Sequence, residues 1–356
     1  MKAVRFHTKR DLRVEDVAPP GDPGPGQVLV APQFCGICGT DLHEYVAGPI
    51  VTPFAPNALT GATLPQILGH EFSARVLKTG TGVTNVTEGD LVSIQPLMAA
   101  ANDPYVRRGL THLADPLGVV GLSYAWGGFG ERALLEARNV VRVPATLNAE
   151  QAAMIEPAAV AVYAVDRGRV GSGASVLISG AGPIGALALL AARAAGAATI
   201  IVSEPNPVRR ALAAEILPGC IVVDPKTTDL GETVRANTED GIGVDAALEC
   251  VGHEGSLAAC IAAVRRQGVV VQAGLHTRPA TVDPMQWALK DISLEGIWCY
   301  PVEIWPRIIR MIDAGLLPVE RVITGRIAAD DIVSDGFEAL LEPAGRHLKI
   351  LVETRS

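Results

Sequence analysis

The sequence predicts an α/β protein with a β-rich, barrel-like domain first and a doubly wound parallel-sheet domain after it. Three observations carry that expectation. Up to about residue 144 the chain shows short strand-like runs separated by Gly/Pro turns. From residue 175 apolar strands alternate with Ala/Leu-rich helices, the pattern of a parallel sheet with helical crossovers. A G-x-G-x-x-G lies where the first of those strands meets the first of those helices. At 356 residues the chain has room for about two domains of roughly 100–200 residues each. Hydrophobic residues reach 49% and charged residues only 19%, so both domains can bury large cores. Aromatics are only 4%, which leaves Ala, Val, Ile and Leu as the filling and suits parallel strands under small-residue helices.

In chain order, residues 1–10 alternate like a strand and lack the apolar core of a secretory signal. Strand runs follow at 27–31, 73–78, Leu91–Ile94 and 140–143, whereas 96–121 has little periodicity and reads as a surface lobe. The texture changes at 149–165, which reads as helical. Ser175–Ser179 is an apolar run, 184–195 an Ala/Leu helix, and Thr199–Ser203 the next apolar run. Ile221–Val223, 246–249 and 269–273 continue the strand series. Beyond Trp298 the pattern predicts a helix near 304–314 and a last strand at 348–352.

A formal charge of −8 suits no polyanion-binding surface, and no basic run carries interleaved aromatics, so nucleic acid is not an expected partner. Gly, Pro or charge interrupts each long apolar stretch before the ~20 residues of a membrane span, so no membrane partner is expected. The expected setting is the cytoplasm. Cysteines at 35, 38, 220, 250, 260 and 299 are too scattered for a secreted disulfide framework.

The segment 175–185, S-V-L-I-S-G-A-G-P-I-G, puts the glycine motif directly after a strand and at the start of a helix. Gly180 permits the tight turn, Gly182 lets backbone approach a pyrophosphate, and Gly185 permits close helix–sheet packing. Unpaired N–H groups at the start of that helix, which includes Pro183 and Ile184, attract phosphate. The next strand ends at Glu204, nineteen residues after Gly185, where a carboxylate accepts the ribose 2′-OH of NAD. A carboxylate there repels the 2′-phosphate of NADP. Arg209 and Arg210 follow closely; Arg209 is a candidate cofactor contact, and both could equally form a solvated helix face.

A second group of residues has the chemistry of a metal site. Cys35-Gly-Ile-Cys38-Gly-Thr40-Asp41-Leu-His43 contains a C-x-x-C with no second C-x-x-C to complete a four-cysteine site. Gly69-His70-Glu71 and Glu156-Pro157 lie farther on. Thiolate, imidazole and carboxylate together can bind one Zn²⁺ and leave a position open for substrate. Singly, each residue also fits an ordinary role, as a buried thiol, a core histidine or a member of an ion pair.

With these motifs in this order the chain resembles the zinc-containing medium-chain dehydrogenase/reductase family over essentially its whole length. The motifs are C-G-I-C-G-T-D-L-H (35–43), G-H-E (69–71), G-D-L-V (89–92), E-P-A-A-V-A (156–161) and G-A-G-P-I-G (180–185). D-L-H-E-Y (41–45), G-P-I (48–50) and L-T-G (59–61) resemble its (R,R)-2,3-butanediol and sorbitol dehydrogenase branch. The resemblance implies a GroES-like catalytic domain over 1–157, a Rossmann NAD-binding domain over 158–299, and a return to the catalytic domain over 300–356. It implies Cys38, rather than Cys35, as zinc ligand with His70, and Glu71 and Glu156 completing the shell, one of them through water or by exchange. It makes Asp41 the partner that orients His70, places Lys349 as a basic pyrophosphate contact, and implies a homodimer or homotetramer. Many members hold a structural zinc on four closely spaced cysteines; residues 96–121 contain none, so one catalytic ion per chain is expected.

On this reading a small alcohol or ketone is the substrate and hydride passes between a secondary hydroxyl carbon and NAD, a vicinal diol such as 2,3-butanediol, or acetoin, being the best fit. Thr40 takes the alcohol proton, and the resemblance continues the relay to His43, whose titration range suits a terminal base. A cyclic or terpene alcohol is the alternative substrate, and a non-catalytic nucleotide-binding protein the alternative of another class.

Overall fold

The computed structural model describes residues 1–342 and 345–354. Its N-terminal strands are β1 (Lys2–Thr8), β2 (Asp11–Asp16), β3 (Gln27–Gly36), β4 (Gln66–Ile67), β5 (Glu71–Thr79), β6 (Leu91–Ile94), β7 (Leu97–Met98), β8 (Gly118–Val119), β9 (Ala133–Glu136) and β10 (Val140–Arg142). Six strands of the second sheet follow: β11 (Ser175–Ser179), β12 (Thr199–Ser203), β13 (Ile221–Val223), β14 (Val244–Glu249), β15 (Val264–Gln272) and β16 (Ser293–Gly296). The tail adds β17 (Ile323–Ala328) and β18 (Lys349–Glu353).

The first sheet runs β10-β6-β5-β3-β18-β17, with β9 also paired to β3. Strand β3 is its spine. It pairs antiparallel with β5 through Gly36↔Glu71 and with β18 through Leu351↔Gly36 and Val352↔Cys35. These pairings bring three segments, near residues 36, 71 and 350, to one place. Strands β17 and β18 of the tail thus complete the first sheet. The second sheet is parallel throughout in the order β13-β12-β11-β14-β15-β16. The order reverses between β11 and β14, where a doubly wound sheet opens its ligand crevice.

Helix α1 (Gly39–Ala47) follows β3 directly and was not expected from the sequence. It is short, and its buried face holds Asp41, Glu44 and Tyr45, so no apolar periodicity announces it. The region 149–165 divides into α2 (Ala149–Ala153) and α3 (Ile155–Arg167), separated at Met154. Pro157 has no N–H to return to the carbonyl of Ala153, which favours a break there. Helix α3 runs unbroken through residues 157 and 158. It packs against α4 (Pro183–Ala194), and both contribute buried alanines, such as Ala158, Ala161, Ala188 and Ala191, that allow close approach.

One core joins the two halves. Phe34, Leu91 and Leu97 of the first share a cluster with α3, α4 and Trp305, Ile308 and Ile312 of the tail helix Trp305–Asp313. The lobe is less irregular than its sequence suggests: β7 and β8 pair antiparallel across it, Leu97 opposite Val119. Packing and hydrogen bonds hold it. His112 meets the ring of Tyr163 on α3 edge-on at 5.7 Å. The side-chain amide of buried Asn139 donates to the carbonyls of Gln95 (2.7 Å) and Leu97 (3.1 Å) at its base. No helix among the described residues is long and apolar enough to cross a membrane.

The lobe anchor can be tested directly. Asn139→Ala leaves those two carbonyls without their donor and is expected to destabilise the fold by about 1–3 kcal/mol. A urea midpoint equal to that of the unmodified chain would show that the amide is not an anchor.

Candidate active site

Helix α1 assembles one wall of the site from a single turn. Cys38 sits at its N-cap, and the Cys38 N–H donates to Asp41 Oδ2 at 2.9 Å, which fixes the start of the helix. The other oxygen of Asp41, fully buried, lies 3.5 Å from Nδ1 of His70. Both of these facing atoms are buried and otherwise without a partner, so a shift of a few tenths of an ångström completes a hydrogen bond. Burial opposes charge on His70, but Asp41 and Cys38 outweigh it and hold its pKa well above the ordinary value.

Gly69 (φ +96°) turns the chain into β5 and presents His70 and Glu71. A Cβ on Gly69 would come within 2.7 Å of Cys35 Sγ, so the Cys35 thiol is packed behind the turn. It is fully buried, and burial pushes its pKa far up, as expected of an inert core thiol. Cys38 has the opposite placement. Its Sγ, a His70 ring nitrogen and a Glu71 carboxylate oxygen all lie within 4.8 Å of one another.

Donors bound about 2.0–2.3 Å from a tetrahedral ion stand roughly 3.3–3.8 Å apart. The cluster therefore fits a zinc-sized ion with small side-chain movements, and its sulfur, nitrogen and oxygen donors suit zinc. Glu156, at the start of α3, lines the same pocket and accepts a hydrogen bond from the Tyr300 hydroxyl at 2.8 Å. Burial, reinforced by Glu71 and opposed by His70, pushes its carboxyl up to about 7. Tyr300 was not expected at the site. No motif marks it, and only the fold brings residue 300 to residue 156.

Lys349, read from the resemblance as a pyrophosphate contact, has its ammonium engaged at Glu71. Its ammonium is buried, donating to Glu71 Oε2 at 2.5 Å and to the Ile37 carbonyl at 3.0 Å. Burial alone would lower its pKa, and Glu71 more than offsets that. Gly36 makes room for the pair, since a Cβ there would collide with the Glu71 carboxylate. Thr40 lines the pocket with its hydroxyl 3.8 Å from Cys38 Sγ. His43 lies three residues on along α1 and is half-buried.

Glu44 is a further residue that sequence reasoning missed. Its buried carboxylate accepts the N–H groups of Ile50 (2.9 Å) and Val51 (2.5 Å) and the Thr52 hydroxyl (2.5 Å). It thereby fixes the loop that carries Val51 into the pocket wall.

On the opposite side stands the glycine turn. Gly180 adopts φ +95°, Gly182 caps α4, Pro183 opens the helix, and a Cβ on Gly185 would strike the Gly180 carbonyl oxygen. Glu204 clamps this turn to the end of β12, accepting from Ala181 N and Asn206 N, both at 2.8 Å. Each carboxylate oxygen keeps a lone pair for a further donor. Arg210 is committed to the Glu204 carbonyl (2.9 Å) and Asp224 (3.1 Å). Arg209 reaches toward the turn: its guanidinium would be 4.0 Å from a Cβ on Gly182. Ile184 of α4 lines the same cavity of about 160 Å³ as Cys38, Thr40, His70 and Glu71, so the two motifs share one cleft.

Comparison with known proteins agrees with this geometry. Residues 24–145 match the model of the alcohol dehydrogenase GroES-like domain, and 183–314 that of the zinc-binding dehydrogenase. The chain is 36% identical to a (R,R)-butanediol dehydrogenase of Bacillus subtilis over 99% of both chains. It is 31% identical to human sorbitol dehydrogenase, covering 98% of this chain and 94% of that one. The crystal structure of 2R,3R-butanediol dehydrogenase from Bacillus subtilis superposes with a TM-score of 0.92 at 35% identity, covering 99% of each chain. A zinc-binding dehydrogenase structure from Sinorhizobium meliloti 1021 bound to NADP gives a TM-score of 0.88 at 29% identity over 99% of this chain and 98% of that one. The chain belongs to the zinc-containing medium-chain alcohol dehydrogenase family, oxidoreductases that act on CH–OH groups with zinc and a nicotinamide dinucleotide.

Proposed function

We propose that this protein interconverts a vicinal diol and its hydroxyketone, 2,3-butanediol and acetoin being the best fit, with NAD as hydride carrier and one catalytic zinc. The observation that carries the reading is the shared cleft, in which Ile184 of the glycine turn lines the same cavity as the Cys38–His70–Glu71 cluster. The 36% identity to a butanediol dehydrogenase over the full length supports the diol.

When bound, zinc supplies Lewis-acid polarisation of the substrate oxygen and nicotinamide supplies the hydride acceptor. The protein's own residues do the rest. Cys38, His70 and Glu71 hold the ion, with Glu156 poised on Tyr300 as a fourth or exchanging ligand. Asp41 orients the His70 ring and fixes its tautomer. The Thr40 hydroxyl, beside Cys38, takes the proton that leaves the alcohol, and His43 farther along α1 passes it to solvent. The Gly180–Gly185 turn, its Pro183 and Ile184, and Arg209 hold the pyrophosphate, while Glu204 accepts the ribose hydroxyl and repels a 2′-phosphate.

Edge strand β16 leaves its outer backbone unpaired, with Leu294 exposed on it and Met285 and Leu289 exposed on the preceding helix. That face supports assembly into a homodimer or homotetramer. The free cysteines suit a reducing, cytoplasmic setting.

A panel of butanediol stereoisomers, acetoin, polyols and cyclic alcohols, run with NAD and NADP, tests the substrate and coenzyme. Turnover restricted to monoalcohols would overturn the diol reading. Metal analysis is expected to find one zinc per chain, with a chelator abolishing activity and added Zn²⁺ restoring it. Asp41→Asn is expected to weaken zinc affinity or turnover about 10–100-fold, measured by competition with a chromogenic chelator. Glu204→Gln is expected to shift the ratio of kcat/KM for NAD over NADP toward NADP by about tenfold, ~1.4 kcal/mol; an unchanged ratio would show that another group selects the coenzyme.

A further inference from the structure

We propose that the pocket selects substrates whose non-reacting substituents are apolar, and that a wall of Leu97, Leu117, Val119 and Leu122 enforces the selection. This rests on the diol reading for the reacting carbons and adds what the remainder of the substrate must be. Polar side chains gather at one end of the cavity, at Cys38, Thr40, His70, Glu71 and Glu156. Ile184, Ala273, Leu275 and Ile297 add further apolar lining from the second domain. Elsewhere among the described lining residues, the Trp298 indole and the weakly bonding Cys299 thiol are the only side chains able to hydrogen-bond.

The wall is built rather than incidental. Leu97 and Val119 are register partners across the β7–β8 pair, so their side chains stand on one face of that ribbon. Asn139 holds the Leu97 carbonyl, and the Ser123 hydroxyl oxygen accepts the Val119 N–H at 3.0 Å. The Thr60 hydroxyl in turn holds the Ser123 carbonyl at 2.5 Å. A distal hydroxyl or charge brought against this surface leaves water without gaining a side-chain partner. An alkyl group buries apolar area against it instead.

Matched substrates isolate the wall. 1,2-Hexanediol and 1,2,6-hexanetriol share a vicinal diol and differ by one distal hydroxyl; 2-hexanol and 1,5-hexanediol differ likewise without a vicinal diol. With zinc-loaded protein and NAD, the distal hydroxyl is expected to lower kcat/KM roughly 10- to 100-fold. Val119→Thr keeps the side-chain shape and adds a hydroxyl to the wall, while Leu122→Asn adds an amide; at least one should narrow the gap several-fold. A ratio within about threefold of unity in the unmodified protein, or one that neither variant moves, overturns the proposal. If only 2-hexanol turns over, and neither 1,5-hexanediol nor any vicinal diol does, the diol reading fails and the apolar wall stands.

Discussion

Asp41 lies fully buried between the start of α1 and the imidazole of His70, and its two oxygens have different tasks. Oδ2 accepts the Cys38 N–H and so sets where the helix begins and where the Cys38 sulfur stands. Oδ1 faces His70 Nδ1, so a metal held at the proposed site would meet the other ring nitrogen. A carboxylate held at zero exposure is stable only while both partners are present, because an unpaired buried charge is expensive. The two sides of the metal site are therefore coupled through one side chain. Glu71 and Lys349 repeat the device from the other direction, tying strand β18 to a carboxylate of the Cys38–His70–Glu71 cluster.

The cleft follows from the same economy of contacts. Helix α3 begins at Glu156 in the pocket and packs its alanines on α4, whose first turn is the coenzyme turn. Metal side and coenzyme side are thus joined by adjacent helices in one continuous core. Small residues matter here because each added methyl would push the helices apart and move the Gly180–Gly185 turn relative to Glu156. The lobe hangs from this frame through Asn139 and His112, which hold its inner face, with Leu97 and Val119, against the cavity.

Much of this was legible in the residue order. A strand, a glycine turn, a helix, a strand and an acid follow in sequence over thirty residues, and each is a local property: apolar runs, freedom at positive φ, an uncapped helix start. The ligand types could be picked out only with the family resemblance, since thiol, imidazole and carboxylate each also fit an ordinary role. The division of 149–165 into two helices had its signal in Pro157, although the apolar pattern runs straight across it.

Other features were settled only by tertiary structure. The resemblance already favoured Cys38 over Cys35, and the packing at Gly69 supplies the physical reason, burying Cys35 while Cys38 lines the pocket. Lys349 was expected at a phosphate, but the register of β18 on β3 and of β3 on β5 sets it against Glu71. Tyr300 carries no motif and Glu44, though inside D-L-H-E-Y, had no role assigned; their partners are 144 residues away in one case and across a loop in the other. The sequence by itself determined the parallel-sheet architecture, the coenzyme turn and the stock of metal-binding chemistry, because helix and strand periods and glycine torsions act over a few residues. Tertiary structure alone decided which donors converge, which are neutralised by a partner and what lines the remaining space, because those outcomes depend on strand register between segments hundreds of residues apart.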